Sequence, residues 1–188
     1  MTAGRLVLIT GGMFAGKTTR LQWYAERAHR ANRAFVVVRP GCDTRTAHWS
    51  THGGTIGHSK PAVHNIQDRN RPRVPRGTTL VIVDEGQFFD DDLLWRWCEH
   101  WTLQGIDVVV GGLDMDAWGA PFEAIAKVAA CASVVEKVTA ICARCGADAT
   151  RTKAISGDVE EPCDDGTSRI RLVGPESYEA RCRSCWVL

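Results

Sequence analysis

Arg5-Leu6-Val7-Leu8-Ile9-Thr10-Gly11-Gly12-Met13-Phe14-Ala15-Gly16-Lys17-Thr18 is an apolar, β-branched run that ends in glycine, followed by four residues and then Gly16-Lys17-Thr18 at the start of a helical pattern. Strand, glycine loop and helix in that order form a phosphate-binding loop. Glycines let the backbone turn with its N–H groups facing inward, and the helix N-terminus adds partial positive charge. Lys17 adds a full charge and Thr18 a hydroxyl suited to Mg²⁺. Gly11, Gly12, Met13, Phe14, Ala15, Gly16, Lys17 and Thr18 are therefore expected to cradle a nucleotide's phosphates. The alternative is a glycine-rich turn that holds nothing.

Outward from this loop, residues 19 to 31 carry Leu21, Tyr24, Ala25 and Ala28 at helical spacing, and Ala34-Phe35-Val36-Val37-Val38 reads as a strand buried on both faces. From Gly41 to about Arg76 the pattern dissolves into Thr, His, Gly, Pro and Arg, with a short strand or helix expected around Pro61 to Ile66. Thr79-Leu80-Val81-Ile82-Val83 is a second buried strand that ends in Asp84-Glu85. Ligands of open parallel sheets bind beyond the carboxyl ends of strands, so Asp84 is expected beside the glycine loop, serving Mg²⁺. Asp90 to Gln104 follows as a helix capped by Asp90, with Leu93, Leu94, Trp97 and Trp101 on its packing face. Ile106 to Leu113 is a third buried strand, its Gly111-Gly112 leaving room for substrate. Pro121 is placed in the first turn of a helix to Ala130, and Ser133 to Val138 is a further strand.

The chain has 188 residues and a formal charge of +1, which suits one substantial core with a small appended module and argues against a broad nucleic-acid or membrane surface. No apolar run approaches the roughly 18 residues of a membrane span, and no signal-peptide pattern opens the chain, so a cytoplasmic protein is expected. Of eight cysteines, Cys142-x-x-Cys145 and Cys182-x-x-Cys185 have the spacing of two metal knuckles. Four thiolates suit a closed, structural Zn²⁺ site, and the polar segment between the pairs is expected to take folding energy from the metal. The other reading of these pairs is a redox couple. Cys42, Cys98, Cys131 and Cys163 read as ordinary thiols. The organisation is an α/β nucleotide-binding domain, 1–138, and a zinc-binding β-ribbon domain, 139–188.

Gly-Gly-Met-Phe-Ala-Gly-Lys-Thr at 11 to 18, Asp-Thr-Arg at 43 to 45, Thr-His at 51 and 52, Asp-Glu-Gly-Gln-Phe-Phe at 84 to 89, Gly-Leu-Asp-Met-Asp at 112 to 116, Pro-Phe at 121 and 122, Lys-Val-Thr-Ala-Ile-Cys-Ala-Arg-Cys at 137 to 145 and Ser-Tyr-Glu-Ala-Arg-Cys-Arg-Ser-Cys at 177 to 185 stand in the chain in that order. Together they resemble the zinc-containing, cellular type of thymidine kinase. The resemblance implies a RecA-like parallel sheet flanked by helices, with a lasso between the zinc knuckles. It also implies ATP-dependent phosphorylation of the 5′-hydroxyl of thymidine or deoxyuridine. On that reading Glu85 is the general base, Lys17 and the 11–18 loop hold the donor phosphates, and Thr18 and Asp84 serve Mg²⁺. Arg45 neutralises charge on the transferred group, and Asp43 and Gln87 join the nucleotide site. The base pocket would comprise Met13, Phe88, Leu113, Phe122, Thr152 and Tyr178, with Val173 and Gly174 in the lasso. Relatives of this kind are commonly tetramers inhibited by the end product dTTP.

The chain departs from the family pattern at Ala117-Trp118, where an aromatic followed by a basic residue is common; at Arg151; and in a lasso one residue shorter. Trp118 is expected to fill space beside Ala117. Two other functions fit parts of the pattern: a P-loop kinase for another nucleoside, and an ATP-dependent nucleic-acid switch gripping its target with the zinc ribbon. Against the switch, the C-terminal segment has no dense basic run interleaved with aromatics, and Glu85 directly follows Asp84.

Overall fold

The computed structural model describes residues 2–40, 50–51, 54–55, 62–64, 70–155 and 175–186. Along the chain run β1 (Leu6–Thr10), α1 (Lys17–Arg30), β2 (Phe35–Pro40), β3 (Ser50–Thr51), β4 (Gly54–Thr55), β5 (Ala62–His64), β6 (Leu80–Val83), α2 (Leu94–Leu103), β7 (Asp107–Gly112), α3 (Glu123–Cys131), β8 (Val134–Lys137), β9 (Ala140–Ile141), β10 (Asp148–Ala149), β11 (Arg151–Ala154), β12 (Tyr178–Arg181) and α4 (Arg183–Trp186). Asp43, Arg45, Val173, Gly174, Cys42, Cys163 and, with them, residues 156–174 of the lasso lie outside the described residues.

Six strands form one parallel sheet in the order β5-β2-β6-β7-β1-β8. Its layering follows from the period-two geometry of strands. Leu6 and Leu8 of β1, Val81 and Val83 of β6, and Val108 and Val110 of β7 point to one face, where they meet Leu94, Trp97 and Trp101 of α2 and Ala124, Ile125 and Val128 of α3. Val7, Ile9, Leu80, Ile82 and Val109 point to the other, where Leu21, Ala25 and Ala28 of α1 cover them. Strands covered on both faces must be apolar throughout, which is why these segments read as unbroken aliphatic runs. The short element expected near residue 62 is β5, which pairs with β2 at one edge of the sheet.

Three local expectations are corrected. α2 starts at Leu94, and Asp90 instead closes the turn before it: its Oδ1 accepts the Asp92 N–H at 2.9 Å and its carbonyl the Leu93 N–H at 3.1 Å. α3 starts at Glu123, because Pro121 is engaged in a β-bridge with Met115. Gly111 and Gly112 do not open space for substrate. A Cβ on Gly111 would lie 2.6 Å from the Leu21 side chain and one on Gly112 2.3 Å from Ile125, so these glycines let α1 and α3 close onto β7.

Past β8 the described residues form two antiparallel ribbons, β9–β10 and β11–β12. Their buried core is Ala140, Cys142, Ala149 and Ala180, with Cys182, Cys185 and Ala15 of the glycine loop packed against it.

Candidate functional site

β1 lies between β7 and β8, and its carboxyl end delivers the glycine loop. Gly11 has φ +146°, and any Cβ there would stand 2.2 Å from the carbonyl oxygen of Val138. Only glycine lets the loop leave β1 so close to the end of β8. Phe14, at φ 64°, turns its ring to solvent, and Gly16 occupies the N-cap of α1. Lys17 and Thr18 open that helix, Thr18 exposed and Lys17 half-buried. The Lys17 ammonium folds over the loop, donating to the carbonyls of Gly12 at 2.7 Å and Gly11 at 3.1 Å. Burial lowers its affinity for a proton, while the negative charges of Glu85, Asp114 and Asp84 oppose that shift. The same three carboxylates thus share the electrostatic neighbourhood of the loop lysine.

β7 intervenes between β6 and β1, which separates the two strand ends by about 10 Å. Asp84 is buried at the end of β6, and its Oδ1 accepts the Glu85 N–H at 3.0 Å. Glu85 adopts a left-handed backbone, φ 55° and ψ 46°, which costs a non-glycine residue roughly 1–2 kcal/mol. Its carboxylate is held in turn. The buried Gln87 donates from Nε2 to Glu85 Oε2 at 2.6 Å and accepts the Leu113 N–H on Oε1 at 3.0 Å. A primary amide suits this bridge because it donates from one end and accepts at the other. Phe88 is half-buried in the same turn.

The segment after β7 folds around two aspartates. Asp116 Oδ1 accepts the N–H groups of Trp118 at 3.0 Å and Ala120 at 2.9 Å, and Asp114 Oδ2 pairs with the Lys137 ammonium at 2.8 Å. Phe122 donates its N–H to the Asp114 carbonyl at 3.0 Å and packs on the main core. Ala117 and Trp118 lie on one groove of about 240 Å³, lined also by Lys153, Ala154 and Trp186.

Thr152, on β11, is buried, and its hydroxyl accepts the Met13 N–H at 3.0 Å. One residue expected at the base is therefore bonded to the backbone of another. Tyr178 is half-buried on β12 opposite Ala154, and burial raises its phenol pKa.

The four thiols of Cys142, Cys145, Cys182 and Cys185 lie within 4.8 Å of one another. Cys145 Sγ and Cys182 Sγ are 3.7 Å apart. A tetrahedral Zn²⁺ with Zn–S bonds of about 2.3 Å sets its sulfurs roughly 3.8 Å apart, so the cluster fits the metal. Backbone N–H groups, that of Cys182 foremost, aim at Cys142 Sγ and pull its pKa down to about 6. Hydrogen bonding with the Cys182 and Cys145 thiols pushes that of Cys185 up to about 12, so the clustered thiols do not ionise independently. The remaining cysteines among the described residues are ordinary: Cys98 is fully buried, its thiol pKa raised by desolvation, and Cys131 is half-buried.

Gln87, expected at the nucleotide, bridges Glu85 and Leu113. Asp114 and Trp186 carried no expectation beyond a motif or a terminus. For Asp114 the usable signal was its place just past a buried strand, the position at which Asp84 drew notice.

The sequence model of the thymidine kinase family matches residues 4–186. A protein named thymidine kinase from Mesoplasma florum is 36% identical over 188 residues, covering 97% of this chain and 91% of that protein. Namesakes from Roseiflexus castenholzii, 35% identical over 189 residues, and Halobacterium salinarum, 33% over 192, each share 95% of their own length with this chain. With a glycine loop, a paired acid at the end of β6 and a four-cysteine cluster in one continuous match, this chain belongs to the thymidine kinase family.

Proposed function

We propose that this chain transfers the γ-phosphoryl group of ATP to the 5′-hydroxyl of thymidine, and of deoxyuridine, giving dTMP in pyrimidine salvage. The observation that carries the mechanism is the Glu85 carboxylate pinned by Gln87 within the field of Lys17. Phosphoryl transfer depends mainly on positioning and electrostatics. Glu85 orients the nucleoside hydroxyl and accepts its proton as the bond to phosphorus forms. Lys17, released from the carbonyls of Gly11 and Gly12, takes the donor phosphates together with the N–H groups of residues 11 to 18. A bound Mg²⁺, held by Thr18 and Asp84, supplies neutralisation of phosphate charge. Arg45 and Asp43 are assigned to the nucleotide by resemblance.

For the base we assign Met13, Phe88, Leu113, Phe122, Thr152 and Tyr178, with Val173 and Gly174 of the lasso. Backbone N–H and C=O groups match the edge of thymine, and cytosine would leave buried groups unpaired. The division into domains 1–138 and 139–188, the homotetramer, feedback inhibition by dTTP and a cytoplasmic location belong to the same reading and rest on family resemblance. No helix among the described residues is long and apolar enough to cross a membrane.

The test is ATP consumption measured across the natural nucleosides, with and without a zinc chelator. Thymidine and deoxyuridine should be turned over and cytidine and purine nucleosides left. Turnover of deoxycytidine at a comparable kcat/KM would overturn the substrate assignment.

A further inference from the structure

Trp186 directly follows Cys185, and its side chain reaches two other parts of the molecule. Its backbone N–H donates to the Cys182 carbonyl at 3.0 Å, tying it to the second cysteine knuckle. Its indole N–H meets two carbonyls, that of Thr152 at 2.9 Å and that of Ala117 at 3.3 Å. The ring is close enough to Gly119 that a Cβ there would come within 2.9 Å of it, and the Arg151 guanidinium stands 5.7 Å above its centre. Thr152 in turn accepts the Met13 N–H on its hydroxyl, beside Gly12. Contacts therefore run unbroken from Cys185 through Trp186 and Thr152 to the glycine loop.

We propose that Trp186 is a positioning residue that couples the four-cysteine site to the phosphate loop through Thr152. The one-turn helix α4 has no buried residue of its own, so its orientation depends on the cysteines at its start and within it. A metal that fixes Cys182 and Cys185 fixes the indole. The indole fixes the Thr152 backbone, and the Thr152 hydroxyl then holds Met13 in place. Ala117 is the second output, since the same N–H steadies the segment after β7.

The inference rests on the assignment of residues 11–18 to the donor phosphates. It is tested in the full-length, zinc-loaded protein with Trp186→Phe, which keeps an aromatic ring but lacks the N–H. Zinc content should equal the unmodified protein's, while amide exchange of the 11–18 peptide and KM for ATP should each rise about 3- to 10-fold, the scale of one hydrogen bond, with kcat within about 2-fold. Thr152→Val should raise amide exchange of the 11–18 peptide by a similar factor and Thr152→Ser should not, and in that readout the Trp186→Phe/Thr152→Val double variant should be no worse than either single, because both cut one line of contacts. Unchanged exchange and KM in Trp186→Phe, additive effects in the double variant, or loss of zinc from Trp186→Phe would each overturn the coupling. Failure of the underlying assignment reads differently: Lys17→Ala would then bind ATP normally while the exchange response to Trp186→Phe persisted.

Discussion

The parallel sheet and the four-cysteine ribbons are held together by different means. The sheet buries Leu, Ile and Val on both faces and adds Trp97 and Trp101, so its stability comes from apolar area removed from water, about 25 cal/mol per Å². Among the described residues the ribbons bury three alanines, Cys142 and Thr152, and no large apolar side chain. Such a core is too small to offset the entropy of ordering its strands, and the thiol cluster supplies what burial does not. One region follows from hydrophobic periodicity. The other follows from ligand spacing.

The largest expected effect breaks this contrast or establishes it. A chelator, or Cys142→Ser, removes a contribution of about 10 kcal/mol in comparable metal sites and should abolish amide protection in β9 to β12 while β1, β6 and β7 stay protected. Simultaneous loss of protection in both regions would mean that the sheet depends on the metal too. Next comes chemistry on the sheet side. Glu85→Gln should lower kcat by about 10²- to 10⁴-fold with the KM for ATP within about 2-fold, measured by coupled ATP assay. Leu8→Ala should cost about 3–5 kcal/mol in urea unfolding, whereas Ala149→Gly should cost about 1 kcal/mol or less.

The smallest effect is electrostatic. Burial disfavours the charged form of Asp107, but hydrogen bonds from the Arg33 guanidinium and the Arg5 N–H outweigh it and hold the carboxyl below the usual range. A carboxyl with a depressed folded pKa adds stability that is complete above its unfolded value, about 3.9, and is lost as pH falls through the folded value. Arg33→Ala should shrink that acid-sensitive part, by less than about 1 kcal/mol because the pair is partly exposed. Urea midpoints at pH 7 and pH 3 measure it: the gap between variant and parent should narrow at the lower pH.

Much of the fold was legible along the chain. The aliphatic runs at 6–10, 80–83 and 107–112 had to be doubly covered strands, and Asp84-Glu85 had to emerge on the ligand side of the sheet. Helix starts were less legible. Asp90 and Pro121 are good starting residues, but each found a competing partner, the Asp92 N–H for one and Met115 for the other. Gly111-Gly112 was misread because a missing side chain looks the same in sequence whether a ligand or a helix fills the space.

By itself, the sequence determined the phosphate loop, the strands and the thiol pairs, because each depends on residue types at short, fixed spacing and on local backbone geometry. Only the tertiary structure decided that Gln87 serves Glu85 and Leu113, that Asp114 joins the field around Lys17, and that Trp186 meets Thr152 and Ala117. Apart from the local Gln87–Glu85 bond, those contacts join residues from different strands and different ends of the chain. Their geometry is set by strand order and by how closely the layers pack, and no local pattern encodes either.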